Sequence, residues 1–145
     1  MNQNTSITPA KSNVNCRNTE QISLLEDHIT ESLLKLGFKA ALKGYVYTKE
    51  SIYYYVNTPF VDSMRKDIYT KVAEQHGTSV LSIERAIRNS IINAWDKTCI
   101  NCTHELFSWS YLTPEFPPSN SEFIATMAEM IKINMKKEYL RNSGT

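Results

Sequence analysis

Between Ser79 and Asn89 the chain sets Ser79, Ser82, Glu84, Arg85, Arg88 and Asn89 close together, all residue types that hydrogen-bond to nucleic acid. An arginine at the outward position of Arg85 can donate two parallel hydrogen bonds to guanine O6 and N7. Such a pair gives roughly 1–3 kcal/mol of discrimination against other bases. Its bland alternative is a surface guanidinium paired with a nearby carboxylate. Glu84 has two roles open to it. It can accept from a cytosine amino group, or pair with Arg88 four residues on for about 0.3 kcal/mol. Arg88 lies a turn deeper and suits a phosphate better than a base. Ser82 can bond a base edge or phosphate, without an arginine's selectivity. Leu81 can touch a thymine methyl or pack on the preceding helix.

Other chemistry is thinly supplied. Cys99, Cys102 and His104 give three metal-ligand types in six residues, with Cys16 as a remote fourth. A structural zinc site closes with four ligands, and the second close pair is missing, so no metal and no cofactor are expected. Tyr53, Tyr54 and Tyr55 could stack on bases, but three consecutive helical residues point in three directions, which favours core packing. His28, His76 and His104 sit in unrelated segments. There is no nucleophile elbow, phosphate-cradling glycine loop or His-Glu-x-x-His helix, and the chain is not expected to be an enzyme.

The polar cluster needs a helix to carry it and a second helix to brace it. Ala73, Gly77 and Ile83 have the spacing of a helix-turn-helix. Ala73 is small where the helices cross, Gly77 suits a turn of positive φ, and Ile83 plugs the angle with Val72. The helix after Ser79, a natural N-cap, extends to about Trp95. Its inner face carries Ile83, Ala86, Ile87, Ser90, Ile91 and Ala94. Leu81, Arg85, Arg88, Asn89 and Ile92 fall outside, with Ser82 and Glu84 on the flanks. In such units the start of this second helix enters the DNA major groove.

Around this unit the pattern predicts an all-α fold of about six helices. Residues 1–19 are Asn-, Ser- and Thr-rich and read as a flexible polar tail, leaving residues 20–141 as the folded domain. Ile22, Leu25, Ile29, Leu33 and Leu36 form one helical stripe that Gly37 ends. Thr48 can cap a second helix to about Val56, after a connector at residues 38–47. A third runs from about Asp62 to Gln75, and a short one is expected around Asn101–Phe107. Ser119 and Glu122 form a capping-box pair opening the last helix, whose stripe is Phe123, Met127, Met130 and Ile131.

Length and charge set outer bounds. The 145 residues suit one domain with a real core. The formal net charge is only +1, weak for a nucleic-acid binder, although Lys35, Lys39, Lys43 and Lys49 face a single Glu50. No apolar run approaches the ~20 residues of a membrane span, and there is no secretory start. Three cysteines fit reduced thiols better than a disulfide framework, so a cytoplasmic location is expected.

Three blocks carry a family likeness: Lys43-Gly44-Tyr45-Val46-Tyr47, then Ile83-Glu84-Arg85-Ala86-Ile87-Arg88 with Ala94-Trp95, then Asn120-Ser121-Glu122-Phe123-Ile124-Ala125. From about Ile29 to Lys136 the chain resembles the DNA-binding effector domain of the stage-zero sporulation protein A family, the sporulation initiation response regulator. The resemblance implies a six-helix domain with a central helix-turn-helix and no wing. It assigns Glu84 and Arg85 as base readers and retains Arg88. It also implies binding to double-stranded DNA as tandem copies, so that a weak homodimer forms on DNA. Contact with an RNA polymerase sigma subunit is implied near Phe107. The chain departs from the family at Ser82, where an arginine is usual, at Asn89, often histidine, and at Pro117, usually lysine. A polar tail stands where members carry a phosphorylated receiver domain, so that switch is not expected.

The resulting expectation is a sequence-specific DNA-binding transcriptional regulator that reads the major groove with helix 79–95. The alternative is a protein-interaction module that modulates a full-length regulator or sigma factor without binding DNA itself. Ser82, the near-neutral charge and the polar tail favour that alternative.

Overall fold

A computed structural model describes residues 9–97 and 116–144. Helix α1 spans Pro9–Lys35 and buries Leu25, Ile29 and Leu33 on one stripe, with Leu36 just beyond its end. Ile22 lies on the same stripe but remains largely exposed. The helix thus begins well before residue 20. Proline is favoured at a first helical position because its missing N–H would be unsatisfied there anyway, and no Gly or Pro follows until Gly37. Polar composition keeps residues 16–24 exposed without preventing their helical backbone.

Helix α2, Lys43–Asn57, starts five residues before the cap expected at Thr48. Thr48 is instead buried inside it, its hydroxyl donating to the Gly44 carbonyl at 2.6 Å. Packing explains the early start. A Cβ on Gly44 would lie 2.0 Å from Ser90 Oγ and 2.2 Å from the Ala86 carbonyl oxygen. Only a glycine lets the start of α2 lie this close against the helix that carries Ala86 and Ser90, so the connector residues are drawn into α2.

The next helix opens as a π-helical segment, Met64–Tyr69, and continues as α3, Thr70–His76. Ser63 caps it by accepting from the Lys66 N–H, and Asp67 accepts from the backbone N–H groups of Asp62 and Ser63 at 2.9 Å each. The bond from the Ser63 amide is the main cause holding the Asp67 carboxyl below its ordinary pKa, and that from Asp62 adds to it. Thr70 returns both its backbone N–H and its hydroxyl to the Arg65 carbonyl, a five-residue reach that defines the wide turn.

Gly77 ends α3 at φ +61° and ψ 39°, the left-handed region. The Thr78 N–H reaches back to the Ala73 carbonyl at 3.0 Å, and the Gly77 N–H to that of Glu74, the Schellman arrangement. Helix α4 then spans Val80–Lys97, with Ser79 Oγ accepting from the Ser82 N–H at 3.1 Å. Helix α5, Asn120–Ser143, opens with the expected capping box between Ser119 and Glu122.

Helix α2 lies at the centre and packs on α1, α4 and α5. Ile83, Ile87, Ile91 and Ala94 of α4 are fully buried, as are Phe123 and Ile124 of α5. Phe38 stacks on Phe123 with centroids 5.4 Å apart, and Trp95 meets the same ring edge-on at 6.2 Å. This apolar seam fixes how α4 is rotated, and so which side chains face outward. The fold is all-α, with no strand among the described residues. The helix expected around Asn101–Phe107 lies outside them.

Candidate nucleic-acid interface

The rotation imposed by the core leaves one side of the first turns of α4 uncovered. Leu81, Ser82, Arg85 and Asn89 are exposed there, and Arg88 and Glu84 are half-buried on its flank. All six residues singled out from the sequence therefore lie on or just before one helix, on the side away from its buried stripe. Their individual circumstances differ.

Arg85 has no hydrogen-bond or ion-pair partner among the described residues, so its guanidinium is available in full. Ser79 and Ser82 satisfy each other: their hydroxyls lie 2.9 Å apart, and Ser79 also caps the helix. Glu84 does not pair with Arg88. Its carboxylate is gripped from the π-helical segment by Arg65, with Nε 3.1 Å from Oε1 and Nη2 3.1 Å from Oε2. The sequence offered no sign of this pair, because nineteen residues and a turn separate the partners. Arg88 bends toward α5, where Nη1 donates to the Pro118 carbonyl at 2.5 Å. Asn120 Nδ2 answers from α5 by donating to the Glu84 carbonyl at 2.9 Å. Arg88 and Asn120 thus brace the exposed face of α4 rather than lie free on it.

Between α4 and the start of α5 these residues line an open cleft of about 530 Å³, with Tyr69 at its base. Tyr69 is 2% exposed and its hydroxyl lacks a hydrogen-bond partner of good geometry. Burial pushes its phenol up to about 12, opposed by the neighbouring Ser121 hydroxyl and reinforced by the Glu84 carboxylate.

Other candidates resolve toward structure. Tyr53, Tyr54 and Tyr55 are all half-buried against the core, and Tyr54 donates to Gln75 at 2.7 Å. Two histidines that had no evident partner do have one. His28 meets Glu138 at 2.8 Å and His76 meets Glu50 at 2.6 Å, pairs formed only by the tertiary fold. Cys99, Cys102, His104 and Phe107 lie outside the described residues.

The helix-turn-helix expected from Ala73, Gly77 and Ile83 is thus present, with an open, arginine-bearing outer face. No helix among the described residues is long and apolar enough to cross a membrane. The family described as sporulation initiation factor Spo0A C terminal matches residues 29–131, which takes in α2 to α4 and the buried part of α5. Its members are DNA-binding effector domains and not catalytic ones. With most of its length matched, this chain belongs to the family of sporulation initiation factor C-terminal domains.

Proposed function

We propose that the chain is a sequence-specific transcriptional regulator that inserts the start of α4 into the DNA major groove, acting in the cytoplasm. The observation that carries the reading is Arg85, exposed on the outer face of α4 and unengaged among the described residues. A guanidinium left free there suits bidentate contact with guanine. Ser82 and Asn89 flank it as weaker contacts, and Glu84 and Arg88 stand at the groove edge with Ser79 behind them. Regulation is by occupancy of a promoter site. Binding as tandem copies and contact with a sigma subunit through the region of Phe107 belong to the same reading.

The test is enrichment of duplexes from a random-sequence pool, followed by binding of the enriched site. Arg85→Ala should weaken that binding at least several-fold, and affinity should fall steeply between low and moderate salt. A pool without enrichment would instead favour an interaction module acting on a full-length regulator or sigma factor. That second reading draws on the exposed apolar residues Ile22 and Leu24, midway along α1, and Tyr139 and Leu140, near the end of α5.

A further inference from the structure

The start of α4 carries Ser79 as its cap, Ser82 in its first turn and no cation before Arg85, yet a guanidinium stands beside it. Arg65 arrives from the π-helical segment and meets Glu84 side-on, with a hydrogen bond from Nη2 to Oε2 and an ion-pair contact between Nε and Oε1, both 3.1 Å. Its side chain remains 60% exposed while so held.

Which edge of the guanidinium is used matters. Arginine has five N–H donors in a planar fork. The Nε and Nη2 edge is occupied by the carboxylate, which leaves the far edge, formed by Nη1 and the second Nη2 hydrogen, with parallel donors. That edge has the spacing needed for guanine O6 and N7. The carboxylate holds the plane of the fork, so fewer rotamers must be frozen on binding. The backbone is held too, since the Arg65 carbonyl accepts both the Thr70 N–H and the Thr70 hydroxyl.

We propose that Arg65 is a second base-reading arginine, specific for guanine, and that Glu84 is the positioning residue that aims it. The inference rests on the DNA-binding reading above: if the start of α4 enters the groove, a guanidinium fastened to Glu84 enters with it. Specificity then comes from both helices of the unit, Arg85 from α4 and Arg65 from the segment leading into α3.

Base preferences of the full chain, measured by selection from a random duplex pool, test this directly. Arg65→Ala should erase a guanine preference at one position and leave the Arg85-dependent position intact. Glu84→Gln should weaken preference at that same position, and the double variant should be no worse there than Arg65→Ala alone. Arg65→Lys keeps the charge but loses the fork that Glu84 orients, so it should keep the salt dependence and weaken the guanine preference. Thermal unfolding of each variant checks that the fold persists. Unchanged preferences in Arg65→Ala would overturn the proposal, and an undiminished preference in Glu84→Gln would overturn the part given to Glu84. A wild-type protein that enriches no duplex would instead overturn the DNA-binding reading, and this one with it.

Discussion

Gly44→Ala sets two well-known effects against each other, and the structure says which wins. Intrinsic propensity favours the change, since alanine inside a helix is better than glycine by about 1 kcal/mol. Packing opposes it. The new Cβ would stand 2.0 Å from Ser90 Oγ and 2.2 Å from the Ala86 carbonyl oxygen. Ser90 can rotate, but a backbone oxygen in mid-helix cannot. Restoring an ordinary 3.4 Å contact from 2.2 Å requires a withdrawal of about 1.2 Å between α2 and α4. Overpacking in a close-packed interior costs typically 1–3 kcal/mol, and an immovable partner puts this site at the upper end. Against the propensity gain, the net loss should be about 2 kcal/mol. In a chain of this length that lowers the melting temperature by about 4–8 °C. Urea unfolding followed by far-ultraviolet circular dichroism measures it. Adding Ser90→Gly should recover only part of the loss, because the Ala86 carbonyl remains. A Gly44→Ala protein as stable as the wild type, or more so, would refute the close crossing of these helices.

Tyr69 makes alkaline stability diagnostic. Its phenol is raised from 10 to about 12, so the unfolded chain loses its proton first. The stabilisation is whole below pH 10 and disappears between 10 and about 12, by about 2–3 kcal/mol if fully expressed. Denaturation midpoints against pH should show this decline, flattened in Tyr69→Phe. Asp67 acts at the other end of the scale: its lowered carboxyl contributes stability at neutral pH that is lost as pH falls through its folded value. Asp67→Asn should remove that part of the acid dependence in the same titration. Ser119→Ala removes half of the capping box and should cost about 1 kcal/mol in urea unfolding. Gly77→Ala places a side chain at φ +61° with open space around its Cβ, so its cost should be pure backbone strain, about 1–2 kcal/mol, and Gly77→Asn should cost less.

The parts of this fold that one-dimensional periodicity can express were readable in advance. The buried side of α4 follows the 3.6-residue repeat of isoleucines, and Ser119 with Glu122 announces α5 through a pattern only four residues long. Gly77 declares its turn because few other residues tolerate that backbone. What escaped depended on partners distant in sequence. Thr48 looks like a cap until Gly44 is seen pressed against Ala86 and Ser90. Glu84 looks ready for Arg88, but the fold brings Arg65 closer and turns Arg88 toward Pro118. The histidine–glutamate pairs span 110 and 26 residues. Local patterns carry no trace of such meetings, because register and crossing angle decide them after the helices have formed. The π-helical turn escaped for a related reason, since its hydrogen bonds use the same residues an ordinary turn would.

That wide turn also has an evolutionary reading. A helix advances about 100° per residue, so removing one residue from Met64–Tyr69 would restore ordinary pitch and swing Arg65 about a quarter of a revolution away from Glu84. The residues from Val72 onward would keep their seats. A single lost codon would therefore part Arg65 from Glu84 while sparing the scaffold behind them.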